Sequence, residues 1–160
     1  MRHNAAVDIS ARTDYAVRAM LALAESQGSG DDLVSVETLA HRQDLPRKFL
    51  EAIVSDLRRA GLVSSVRGTR GGYRLAHEAS GITLGDIFRA VDGPLAEVRG
   101  LRPHETSYEG VAEHLPTVWV AVRASLRTVL DETSLADVLS GHLPAHVERM
   151  AAAPDAWESR

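Results

Sequence analysis

Between His41 and Leu75 the chain gathers Arg42, Arg47, Lys48, Arg58, Arg59, Arg67, Arg70 and Arg74 against only Asp44, Glu51 and Asp56. Guanidinium and ammonium groups neutralise phosphate, and this local surplus sits in a chain whose formal net charge is -4. Such asymmetry suits a phosphate-binding face on an otherwise acidic body. A merely solvated helix face gives a similar count, so placement has to decide. Lys48, Glu51, Ser55 and Arg58 are spaced to share one side of a helix, opposite an apolar stripe of Phe49, Leu50, Ile53, Val54, Leu57 and Ala60. Downstream, Arg67-Gly68-Thr69-Arg70-Gly71-Gly72 sets two guanidinium groups on a glycine-rich turn whose backbone can approach another surface closely. As a nucleotide cradle it lacks the lysine and hydroxyl residue of a P-loop, and no helix opens straight after it.

Other chemistries find less support. The chain has 0 cysteines, which excludes disulfides, thiolate-bound zinc, a cysteine-ligated iron–sulfur cluster and a cysteine nucleophile. His104, Glu105, Glu113 and His114 share one loop and could be imagined around a divalent ion, but their spacing follows no recognised ligand pattern. His142 and His146 have helical i, i+4 spacing, which Pro144 interrupts. No serine-histidine-acid arrangement or glycine-flanked serine stands out, so the sequence does not read as an enzyme; a metal-assisted hydrolase built on the loop histidines is the residual enzymatic alternative. Trp119 could line an effector pocket or simply fill the core.

The elements that must position the cationic groups follow from periodicity. With 160 residues, 44% hydrophobic and 25% charged, the chain suits one domain plus a smaller attached segment. No apolar run reaches the roughly 18 to 20 residues that cross a bilayer, since Arg18 and Arg123 break the longest. Met1-Arg2-His3-Asn4 and the residues to Asp8 lack the apolar core of a secretory leader, so the expectation is cytoplasmic with no membrane partner. Ser10 caps a helix to about Ser26, and Gln27 to Asp32 forms a flexible connection. Ser35 caps a second helix, with Val34 placed to meet Leu39 as a hydrophobic staple. Pro46 opens a third at its first position and Gly61 ends it. Leu62 to Val66 and Tyr73 to Leu75 read as two short strands. Thr83 and Asp86 form a capping box on a fourth helix stopped by Gly93-Pro94. After a loop to about Leu115, Trp119, Val122, Leu126 and Val129, widened by Val118 and Leu130, form a near coiled-coil seam on a helix ending near Glu132. Such a helix needs a partner. Ser134 and Asp137 open a last short helix closed by Gly141, and the alanine-rich tail from Pro144 is expected to be partly ordered at best.

Two helices joined by a short turn, the second polar and basic outside, followed by a two-stranded wing, outline a winged helix-turn-helix. Thr13 to Met20, Leu45 to Leu50 and Gly61 to Tyr73 resemble the Rrf2 family of bacterial winged-helix regulators, with the wing the most specific part and the likeness running from about Ile9 to Leu139. That resemblance implies a mainly α fold with a small two-stranded β wing and a long dimerisation helix. Residues 9–80 would bind DNA, 81–143 would dimerise and could take an effector, and 144–160 would form the tail. It also implies a homodimeric, sequence-specific transcriptional regulator, acting as a repressor on a palindromic site in double-stranded DNA. By position, Lys48, Glu51 and Arg58 would meet bases and phosphates, Arg67 with Gly68 would enter the minor groove, and Tyr15 would lie near the backbone, with Arg70 at the wing tip. Glu51 could accept from cytosine, or instead only pair with its helix neighbours Ser55 or Arg58. Cluster-bearing relatives hold iron and sulfur through three cysteines in the loop before the long helix. Here that loop has none, Glu113 stands where the last would be, and no cofactor is expected. A small-molecule or protein effector is left open. The rival is a winged helix that binds another protein and no specific operator.

Overall fold

The computed structural model describes residues 7–30 and 33–159. Most of the stretch read for a leader, and Asp31-Asp32 of the first connection, lie outside the described residues.

Helix α1 (Ala11–Gly28) starts where Ser10 accepts from the Thr13 amide at 3.1 Å. It buries Ala16, Ala19, Met20 and Leu23, the spine of the core. Helix α2 (Val36–Gln43) is capped by Ser35 through the Thr38 amide at 3.1 Å, and the staple pair Val34 and Leu39 are both buried in that core. The turn into α3 (Arg47–Arg59) needs a left-handed residue, supplied by Asp44 at φ 50, a conformation that a short polar side chain tolerates. Pro46 is the cap of α3, one position earlier than expected, and its carbonyl accepts the first helical bond from Leu50.

Leu50, Ile53, Val54 and Leu57 are essentially inaccessible, whereas Phe49 is 61% exposed and Ala60 is exposed. The expected stripe was therefore too broad. At about 100° per residue, Phe49 falls on the flank of the helix and outside the arc that the core covers.

The wing is an antiparallel pair, β1 (Val63–Val66) and β2 (Gly72–Leu75), with Val63 opposite Leu75 and Val66 opposite Gly72. Val34 and Tyr73 exchange backbone hydrogen bonds of 2.9 and 2.8 Å, which fastens β2 to the entrance of α2. Gly72 makes this possible, because a Cβ there would lie 2.8 Å from the Val34 backbone. At Gly71 a Cβ would lie 2.0 Å from the Val66 carbonyl, so both glycines are required by close approach.

Helix α4 (Leu84–Asp92) carries the expected Thr83–Asp86 capping box and ends at Gly93. The segment to 114 is largely irregular, with 3-10 turns at Pro103–Glu105 and Gly110–Ala112. Helix α5 (Leu115–Leu130) follows, then α6 (Leu135–Ser140), which has the expected Ser134–Asp137 capping box and Gly141 at its end. Ile87 of α4 and Leu135 of α6 are fully buried in the same core as α1 and α3. Leu84 donates to the Thr133 carbonyl and Leu135 to the Ile82 carbonyl, both at 2.9 Å, closing a backbone seam between the entrances of α4 and α6. Beyond Pro144, where composition predicts partial order at best, a seventh helix α7 (Ala145–Ala151) forms and Trp157 donates to the Ala151 carbonyl at 2.6 Å. The reason is tertiary: His146 Nε2 lies 2.9 Å from the Thr128 carbonyl and 3.0 Å from Glu132, which ties α7 to the end of α5.

Candidate nucleic-acid interface

The core fixes the orientation of α3 and so decides which of its side chains face solvent. Lys48, Glu51 and Arg58 are exposed, as the spacing predicts, whereas Ser55 is half-buried. At the far end of α3, Arg58 reaches the wing, with Nη1 3.5 Å from Ser65 Oγ on β1. Arg58, Ser65, Arg67, Gly68 and Tyr73 line one cleft between the helix and the wing, so two of the expected phosphate-binding groups are brought together across it. Gly68 holds φ 112, a conformation that L side chains rarely adopt, and Gly71 donates back to its carbonyl at 3.0 Å. That turn presents Arg67 and Arg70 to solvent. Tyr15 lies elsewhere, half-buried on α1 against the core.

Ion pairing sorts the cations into two sets. Asp56 is shared between Arg12 of α1 and Arg59, which locks α3 to α1. Arg18 of α1 donates to the Gln43 carbonyl, holding the turn between α2 and α3. Arg47 bridges Glu37 of α2 at 2.8 Å and Glu51 at 3.1 Å. The helix partner of Glu51 is thus Arg47 rather than Ser55 or Arg58. By contrast, no ion pair among the described residues uses Lys48, Arg58, Arg67, Arg70 or Arg74. Cations without an acidic neighbour retain their full charge for a polyanion. The bracing contacts between helices, Arg12 with Asp56 and Arg47 with Glu37, carry no sequence signal, because the partners lie far apart along the chain.

The segment before α5 is held by contacts of its own. Arg99, at φ 53, stacks over the Tyr108 ring at 5.6 Å; Trp119 Nε1 donates to the Tyr108 hydroxyl at 3.2 Å; Arg123 meets His104 Nδ1 at 2.8 Å. Glu113 lies 3.3 Å from His114. Among the described residues no group of three or more His, Asp or Glu side chains is placed to hold a metal ion. Without thiolates the donor set does not fit an iron–sulfur cluster. Among the same residues no helix is long and apolar enough to cross a membrane.

Comparison with known proteins agrees with this geometry. The model of the Rrf2 family, described as "Iron-dependent Transcriptional regulator", matches residues 9–141. The putative HTH-type transcriptional regulator Rv1287 of Mycobacterium tuberculosis is 45% identical over 143 residues, covering 89% of this chain and 88% of its own. The structure of CymR, the global cysteine regulator of Bacillus subtilis, superposes with a TM-score of 0.69 at 36% identity, covering 84% of this chain and 97% of that one. The structure of T. potens IscR gives 0.65, also at 36% identity, over 84% and 87%. A braced helix-turn-helix, a glycine-built wing and a set of unpaired cations between them, carried on a chain similar along most of its length to these regulators, place this protein in the Rrf2 family of winged-helix, DNA-binding transcriptional regulators.

Proposed function

We propose that the protein acts as a homodimer that represses transcription by occupying a partly palindromic promoter site. Residues 9–80 make the DNA contacts and 81–143 pair the subunits. Helix α3 lies in the major groove, where Lys48 and Arg58 contact phosphates and guanine edges and Glu51, steadied by Arg47, accepts from cytosine. Arg67 and Gly68 enter the adjacent minor groove, whose narrow stretches attract arginine, with Arg70 beside them and Tyr15 against the backbone. The observation that carries this reading is the cleft in which Arg58 of α3 and Arg67 of the wing converge without an acidic partner. Pairing through α5 is supported by that helix itself, none of whose residues is buried within one chain. With 0 cysteines, control does not run through a thiolate-held cluster.

The test is binding to a palindromic duplex recovered by genome-wide selection, titrated over a range of salt. Affinity should fall steeply as salt rises, and Arg67→Ala should weaken binding by ~1–3 kcal/mol while reducing the salt dependence. An Arg67→Ala protein that binds as the parent does would remove the wing from the interface.

A further inference from the structure

On a surface otherwise set with charged groups, the first two turns of α3 expose an apolar pair. Phe49 is 61% exposed and Ala52, three residues on, is exposed as well. At about 100° per residue the two lie roughly 60° apart, with Lys48 on the far side of Ala52. The core encloses the neighbouring Leu50 and Ile53 completely and leaves most of Phe49 outside it. Nor do two side chains make a protein-docking surface, since a stable interface buries about 800 Å² on each partner. Their position is informative. The N-terminal residues of a recognition helix are those that reach base edges, and the one apolar group displayed in the major groove is the 5-methyl of thymine, which an aromatic ring or an alanine methyl can cover.

We propose that Phe49, with Ala52 beside it, reads the 5-methyl group of one thymine in each half-site. The proposal rests on α3 lying in the major groove. It adds to the polar readers Lys48 and Glu51 an apolar one that makes no hydrogen bond and carries no charge, and so leaves a distinctive signature.

Selection from randomised duplexes with the full-length parent and with Phe49→Ala should give motifs that differ at one position per half-site, a thymine for the parent and any base for the variant. On the selected duplex, replacing that thymine by deoxyuridine removes only the methyl. Parental binding should weaken about three- to fivefold, the worth of one buried methyl-sized group. Phe49→Ala should not register the replacement, Phe49→Leu should register it in part, and the salt dependence of all three should be alike because no charge has changed. Since the ring lies largely outside the core, helicity and melting temperature should be unchanged in both variants. Were Phe49→Ala to unfold regardless, the deoxyuridine arm with the parent and Phe49→Leu still decides. The proposal is overturned if Phe49→Ala selects the parental motif, or if it binds every sequence more weakly by one common factor with no deoxyuridine effect, which would put the ring on deoxyribose. If instead the parent itself shows no salt-dependent binding to any duplex, the groove placement of α3 fails and this proposal with it.

Discussion

The winged half of the molecule and the long helix α5 treat their apolar side chains in opposite ways. In the first, α1, α3, α4, the wing and α6 enclose Met20, Leu23, Leu50, Leu57, Ile87 and Leu135 almost completely. In the second, sixteen residues from Leu115 to Leu130 include none that is buried, and Val118 and Val122 are 50% and 38% exposed. Helix α5 carries a larger share of apolar residues than α3, yet only α3 finds its core within the chain. A region that closes on itself can hold recognition groups rigidly, and a region that does not is completed by another surface. The division suits the proposed dimer, whose reading head would be fixed before pairing sets its spacing on DNA.

The largest expected effect separates the halves most sharply. Leu57→Ala removes a fully buried side chain from α3 and should cost about 2–5 kcal/mol, read from chemical denaturation and independent of protein concentration. Val122→Glu should act differently: with α5 as the pairing surface, a carboxylate there is desolvated on association and weakens the dimer by ~2–3 kcal/mol. Light scattering should report a shift toward single subunits, while circular dichroism of the separated chain retains its helices. A Val122→Glu protein that remains fully dimeric at low micromolar concentration would show that α5 is not the pairing surface.

What could be read from the sequence follows the range of the interactions involved. The caps at Ser10, Ser35, Thr83 and Ser134 and the stop at Gly141 each depend on neighbours within four residues, and all are present. The wing was legible because its glycines and flanking strand residues are contiguous. The outward turn of Phe49 was not, since residue type places a phenylalanine in the core and only the packing of α1 and α4 shows how narrow the covered arc is. Nor was the partition of cations, which depends on Arg12 reaching Asp56 and Arg47 reaching Glu37. Helix α7 escaped for the same reason: its hold on α5 through His146 joins residues 18 apart in sequence.

The smallest effect concerns what joins the two halves. Arg89 of α4 makes two contacts, of 2.6 and 2.5 Å, with Asp131 at the C-terminal cap of α5, which looks like the principal tie between them. Both side chains are about one-third exposed, so water and salt screen the pair, and exposed ion pairs contribute at most about 1 kcal/mol. The backbone seam at Leu84 and Leu135, together with the fully buried Leu135 side chain, is out of reach of that screening. Arg89→Met, which keeps much of the aliphatic stem, should therefore lower stability by ~0.5 kcal/mol, and the difference should shrink as salt is raised. The dimer should persist. A loss above about 2 kcal/mol, or one insensitive to salt, would mean that the guanidinium rather than the buried seam holds α5 against the winged half.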